Sequence, residues 1–143
     1  MDILNTFQIS GSALKAQSLR LNTISSNLAN VETTSTPEGG PYKKKSVYFE
    51  STPLSFQKQL DSELHRGLQG VAVTKIVEDP LPPRLVYDPA HADADEAGYV
   101  AMPNISVLEE MVDMMSATRS YQANVTSIKM AKRMALKALE IGR

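Results

Sequence analysis

The chain has no cysteine among its 143 residues. That excludes a disulfide framework and any thiolate metal site, although it identifies no compartment. Histidine is nearly as scarce, with only His65 and His91. Long apolar runs are missing too. The longest uncharged stretch, Ile3 to Leu14, contains Asn5, Thr6, Gln8, Ser10 and Ser12 and is too short and polar to span a bilayer. Asp2 stands near the start and no Lys or Arg precedes Lys15. The pattern of a basic segment, an apolar segment and a small-residue cleavage site is therefore not met. The expectation is a protein that stays in the cytosol or leaves the cell without a cleaved signal. A net charge of −1 argues against a general nucleic-acid binder. Proline is absent before Pro37, which leaves room for a long unbroken helix.

What is present is an apolar seam at each end. The first runs Ile3, Phe7, Ser10, Leu14, Gln17, Leu21, Ile24, Leu28, Val31. The second runs Val107, Met111, Met114, Thr118, Tyr121, Val125, Ile128, Lys132, Ala135, Leu139. Steps of four and three alternate in both, a heptad register. The fold class predicted is α+β: long N- and C-terminal helices paired as a coiled coil, with a small antiparallel β-rich domain between them. The two ends together carry a net +3 and the middle −4, a separation able to help subunits find a register.

Helix one is predicted from Ile3 to Val31, capped by Asp2 and about 43 Å long. Its polar face is mostly Ser, Asn, Thr and Gln, as at Ser18, Asn22, Ser25 and Asn30. A solvated face normally carries charge, and small uncharged groups suit a face packed on more than one side. The second long helix follows Pro103. Ser106 and Glu109 form a capping box, Glu109, Glu110 and Asp113 sit in the first turns, and Lys129, Lys132, Arg133 and Lys137 lie toward the end, matching the helix dipole. Gly142 terminates it. The methionines at 111, 114, 115, 130 and 134 read as adaptable packing. Strands are predicted at Ser46–Glu50, Val71–Val77, Arg84–Asp88 and Tyr99–Met102, making one small sheet. Leu60, Leu64 and Leu68 hint at a short helix within Ser51–Gly70.

Candidate chemistry is thin. Asp93, Asp95 and Gly98 fit positions 1, 3 and 6 of an EF-hand loop, but Ala97 and Asn104 stand where two main ligands are needed. A solvated acidic turn is the simpler reading. Gly39-Gly40-Pro41-Tyr42-Lys43-Lys44-Lys45 fails the phosphate-loop pattern, because a Gly must directly precede the Lys and here Lys44 precedes Lys45. The three lysines read as a solvated or partner-facing patch. No Ser-His-Asp set and no carboxylate pair is placed by any motif. No catalytic, cofactor or metal residue is assigned, and no enzyme is expected.

The segment Ser26-Asn27-Leu28-Ala29-Asn30 resembles the signature of the bacterial flagellar axial proteins, the rod, hook and related subunits. Further segments carry the likeness toward the proximal rod: Gly11-Ser12-Ala13-Leu14, Thr36-Pro37-Glu38-Gly39-Gly40-Pro41-Tyr42, Arg84 to Pro89, Asp93 to Val100, Met102-Pro103-Asn104, and Ser120-Tyr121-Gln122-Ala123-Asn124. The resemblance covers nearly the whole chain, apart from Ser51–Gly70.

What this resemblance implies is a structural subunit, exported unfolded through the flagellar type III apparatus and polymerised helically in the periplasmic part of the basal body. Its partners would be itself and other rod subunits, with the membrane ring and export gate on the proximal side and the distal rod on the other. Nucleic acid and a membrane span are not implied. The layout implied is a helix over 1–35, a β-rich middle over 36–102 with a variable loop at 51–70, and a helix over 103–143. Leu14, Leu21, Ile24 and Leu28 are expected to pack with Met111, Met114, Val125 and Ile128 within or between subunits. Asn27 and Asn30 are expected to hydrogen-bond backbone or neighbouring subunits. The rival readings are a neighbouring rod or hook protein, a soluble coiled-coil adaptor, and a small metal enzyme using His91 with Asp88 or Asp93.

Overall fold

The structure is a computed structural model that describes residues 3–52 and 70–141. The elements run α1 (Ile3–Ala29), β1 (Lys45–Thr52), β2 (Gly70–Glu78), β3 (Arg84–Tyr87), β4 (Tyr99–Met102) and α2 (Val107–Ile141). The Asp2 cap, His65, the Leu60/Leu64/Leu68 helix and the Gly142 terminator lie outside the described residues. Two long helices with short strands between them give the α+β class.

After Ala29 the helical ladder gives way to a tighter three-residue turn at Asn30–Thr33. The Asn30 N–H donates to Ser26 O at 3.1 Å and the Thr33 N–H to Asn30 O at 3.1 Å, closing a final turn. α2 begins at its expected cap. The Glu109 N–H reaches Ser106 Oγ at 3.5 Å, and the Glu110 N–H donates to Ser106 O at 3.0 Å.

The strands do not form one sheet but two sheets of two strands, β1 with β2 and β3 with β4. The reason lies in Asp79-Pro80-Leu81-Pro82-Pro83. Three prolines in five residues lack the N–H groups that a continuing ladder needs. The Asp79 N–H donates to Lys44 O at 2.8 Å, joining the residue after β2 to the one before β1, as an antiparallel pair requires. β3 and β4 are antiparallel, with Leu85 opposite Ala101, Val86 opposite Val100 and Tyr87 opposite Tyr99. Alternation then puts Val86 and Val100 on one face, where Val100 is fully buried. Leu85 and Tyr87 share the other face and are both about two-thirds exposed.

The turn between β3 and β4 is built from its own carboxylates. Asp88 accepts from the Ala90 N–H at 3.1 Å, and Asp95 Oδ1 accepts from the Ala97 and Tyr99 N–H groups at 3.0 and 2.8 Å. These are Asx turns, with a structural task for each acid. Gly98 closes the turn at φ +82°, and a Cβ built there would stand 3.0 Å from the Tyr87 ring. Gly98→Ala is therefore expected to cost about 1–3 kcal/mol, from left-handed strain plus the ring contact. An unchanged thermal midpoint for that variant would refute this account of the turn.

The chain divides into two compact units. One comprises Met1–Leu19, Tyr48–Lys75 and Ala117–Arg143. Among its described residues the buried positions are small: Ser10, Ala16, Ala117 and Ala131. Ser12 organises the start of β2 there. Its Oγ accepts from the Val71 N–H at 3.1 Å and donates to Ile9 O at 2.8 Å. The other unit comprises Arg20–Val47 and Ile76–Ser116 and buries Thr23, Ile24, Asn27, Val100, Ile105 and Glu110. Apolar burial is slight in both. Large side chains along α2 stay in solvent instead, including Leu108, Met111, Val112, Met115, Met130, Met134 and Leu139.

Candidate functional site

The best-built polar site lies where α1 ends and β1 begins. Asn27, on the last turn of α1, is 1% exposed. Its amide faces the backbone of Lys45 with both edges: Nδ2 donates to Lys45 O at 2.8 Å and Oδ1 accepts from the Lys45 N–H at 2.9 Å. A primary amide presents an N–H and a C=O side by side, as the N–H and C=O of one residue do along a strand edge, so Asn27 pairs with the first residue of β1 much as a neighbouring strand would. The second proton on Nδ2 goes to Glu110 Oε2 at 3.0 Å, and the second lone pair on Oδ1 receives the Tyr42 hydroxyl at 3.1 Å. All four hydrogen-bonding positions of this buried amide are filled, which offsets its desolvation.

Glu110 is also 1% exposed, and its other oxygen, Oε1, meets Lys44 Nζ at 2.8 Å. The Glu110 carboxylate, against partial burial and with Glu109 and Asp113 nearby, holds the Lys44 ammonium above its ordinary pKa of 10.5. A raised lysine pKa means that the folded chain binds the proton more tightly than the unfolded one. The stabilisation is complete below the unfolded value and is lost as pH rises through the folded one. The stability advantage of the native chain over Lys44→Met is therefore expected to hold at neutral pH and to shrink above about pH 10.5. Denaturant midpoints of both chains between pH 8 and 11.5 test this, and a constant gap would show that the pair does not titrate as described.

Loop 31–44 is folded onto this site by further side chains. Asn30 Nδ2 donates to Ser26 O at 2.8 Å and Asn30 Oδ1 accepts from Thr33 Oγ1 at 3.1 Å. The Tyr42 N–H donates to Thr33 O at 3.0 Å, and Ser26 Oγ lies 3.3 Å from the Tyr42 hydroxyl. Gly39 and Gly40 adopt φ +89° and +80°, so that Thr36 can pair with Gly40 O through its N–H at 2.9 Å and its hydroxyl at 3.1 Å. Thr34 Oγ1 donates to Asp93 Oδ2 at 2.7 Å, fastening the loop to the β3–β4 turn. His91 Nδ1 accepts from the Asp93 N–H at 3.1 Å. The arrangement joins backbone segments and has the character of a structural joint.

Ser26, Asn27, Asn30 and Tyr42 thus come together, whereas Ala29 faces solvent and Leu28 is half-buried. The three lysines part company: Lys43 is exposed, Lys44 reaches Glu110, and Lys45 lies 3.9 Å from Glu78 with its ammonium 5.8 Å from the centre of the Tyr42 ring. Lys44 thus departs from the expected solvated or partner-facing patch, whereas Lys43 fits it. The physical reason is that Glu110 offers Lys44 a buried counter-charge. Glu110 itself was read as a helix-dipole acid. Its signal was available, because it sits three and seven residues before Asp113 and Ala117, and Ala117 and Ala131 share its heptad line.

Of the seam residues on α1, Ile24 is buried and Leu14, Leu21 and Leu28 are half-buried. On α2, Met114, Val125 and Ile128 are half-buried while Met111 is 51% exposed. The fully buried residues Glu110, Ala117 and Ala131 each stand one position before Met111, Thr118 and Lys132. Tyr121, Gln122 and Ala123 are exposed, and Asn124 Nδ2 donates within the helix to Ser120 O at 2.9 Å.

Sequence comparison places these features among known proteins. The profile of the family described as flagella basal body rod protein matches residues 7–35, which include the Asn27 and Asn30 segment. The profile described as flagellar basal body rod FlgEFG protein C-terminal matches residues 96–141, which include Glu110. Over 100% of both chains, the sequence is 46% identical to the flagellar basal-body rod protein FlgC of Salmonella typhimurium and 45% identical to that of Bacillus subtilis. It is 42% identical to the FlgC of Borreliella burgdorferi, over 99% of this chain and 98% of that one.

Proposed function

The chain belongs to the FlgC family of flagellar basal-body rod proteins and is a structural subunit of the rod, located in the flagellum's basal body; we propose that it builds the rod by packing its two terminal helices as a coiled coil against those of neighbouring subunits. The end-to-end identity to FlgC proteins carries the assignment to the rod. For the packing mode, the supporting observation is the apolar surface of α2. Leu108, Met111, Val112 and Met115 recur at helical spacing and each is more than half exposed. A chain that buries so little apolar surface itself gains by burying it against other subunits.

In this reading residues 1–35 and 103–143 form the helical core of the axis and residues 36–102 a β-rich outer part; the loop expected at 51–70 lies almost wholly outside the described residues. Leu14, Leu21, Ile24 and Leu28 pack with Met111, Met114, Val125 and Ile128 within or between subunits, Ile24 being already buried inside the single chain. The contact is heterologous and does not close on itself, as a helical shaft requires. The subunit leaves the cell body through the flagellar type III apparatus and polymerises in the periplasm, between the membrane ring and the distal rod. Its work is mechanical, passing torque to the distal rod, hook and filament.

Deleting the gene in its own organism and imaging isolated basal bodies tests the proposal. Membrane rings lacking a completed rod, hook and filament, restored by the intact gene, are expected. Complete basal bodies bearing hooks would defeat it.

A further inference from the structure

The one buried acid on α2 is not explained by subunit packing. Glu110 is 1% exposed, and its two oxygens go to two different parts of the same joint, Oε1 to Lys44 and Oε2 to Asn27. A helix that needed only an acid near its N-terminus has exposed Glu109 for that. A buried carboxylate costs too much to persist without specific partners, and here the partners come from the α1 end and from the segment leading into β1.

We propose that Glu110 is a positioning residue that couples formation of α2 to closure of the α1–β1 joint. Its Oε2 takes one proton of the Asn27 amide and, together with Lys45 O, holds the way the amide faces. With the amide so oriented, Oδ1 points to the Lys45 N–H and the Tyr42 hydroxyl, and the remaining Nδ2 proton points to Lys45 O. A flipped Asn27 would set Nδ2 against the Lys45 N–H and the Tyr42 hydroxyl, and Oδ1 against Glu110 and Lys45 O. Each acceptor would then face an acceptor at Glu110 and Lys45 O. Its Oε1 meanwhile draws Lys44 inward, away from the outward course of Lys43. The raised pKa of Lys44 is in keeping with that contact. Without α2 in place, Lys44 has no buried counter-charge and the Asn27 amide loses one of the two acceptors that orient it. The start of β1, and the Gly39–Tyr42 turn hung from Tyr42, are then fully secured when the C-terminal helix has formed. This coupling acts inside one chain and stands whether or not the rod packs as proposed above.

Two measurements on the full-length chain test it. Brief acetylation at neutral pH, read lysine by lysine by mass spectrometry, should label Lys44 at least about tenfold more slowly than Lys43. In Glu110→Gln the Lys44 rate should rise toward that of Lys43, with far-UV helicity unchanged. Hydrogen exchange at the Lys45 amide separates positioning from a local ion pair, because Glu110 does not touch that group. Glu110→Gln retains a carbonyl oxygen for Asn27 and should keep Lys45 protection within about threefold of the native chain. Glu110→Met, isosteric and apolar, should speed Lys45 exchange by about tenfold or more. Equal labelling of Lys43 and Lys44 in the native chain overturns the proposal. So does unchanged Lys45 protection in a folded Glu110→Met. Should Glu110→Met fail to fold, equal labelling of Lys43 and Lys44 in the native chain, or a Lys44 rate unchanged in Glu110→Gln, still overturns the proposal.

Discussion

Asn27→Asp will destabilise the chain by about 3–5 kcal/mol, although it changes no heavy-atom shape. The substitution exchanges one NH2 for one oxygen. In the native chain that NH2 donates to Lys45 O and to Glu110 Oε2. In the variant an acceptor faces both, and a second carboxylate lies against the buried Glu110. Unmade buried hydrogen bonds cost about 1–3 kcal/mol each, and the like charge adds to them. Relief by protonation is the natural escape. Burial and the neighbouring acid should raise the pKa of the introduced Asp, so the penalty should be largest at neutral pH and fall on acidification. Asn27→Ala removes the group without adding charge and should lose somewhat less, about 2–4 kcal/mol. Urea midpoints of the three chains at pH 7 and pH 5 provide the test. A penalty under about 0.5 kcal/mol for Asn27→Asp would mean that the joint is not closed as described.

How far the sequence foretells this molecule differs between its parts. The strands are readable because their edges are chemically marked. β3 and β4 follow Pro83 and Gly98, and the observed Arg84–Tyr87 and Tyr99–Met102 differ from expectation by at most one residue. The helices are readable from their seams, with α1 ending two residues before Val31. What resists reading is anything that depends on which segments meet. The period of a heptad is visible, but two adjacent lines on α2 share it. Hydrophobicity favours Met111, Thr118 and Val125, whereas the chain fully buries Glu110, Ala117 and Ala131. Small residues and a paired acid can occupy a close approach that transfer scales do not anticipate. The importance of Asn27 is visible in its segment. That its partner is the backbone of Lys45, 18 positions onward, is not, because a side chain acting as a strand neighbour leaves no pattern in Lys45 itself. The single sheet fails for a local reason that was present in the sequence, the three prolines between β2 and β3.

Met111→Asp will leave the folded chain almost unchanged and stop the rod from forming. Met111 is 51% exposed and lies beside Leu108, Val112 and Met115, which are 73%, 52% and 54% exposed. A carboxylate there stays in water in the isolated chain, and such surface changes are usually worth within about 0.5 kcal/mol. Buried against a neighbouring subunit, the same carboxylate would be unpaired and would cost several kcal/mol, at every interface that uses this face. Leu21→Asp is the contrasting case. Leu21 is already half-buried within the chain, so this variant should lose both stability and assembly. Denaturation midpoints of the two purified variants, with swimming and basal-body imaging in cells, separate the effects. Normal motility with Met111→Asp would remove this face of α2 from the subunit interface. Normal motility with Leu21→Asp would be more damaging, since it would sink the buried seam on α1 and with it the helical packing proposed for the shaft.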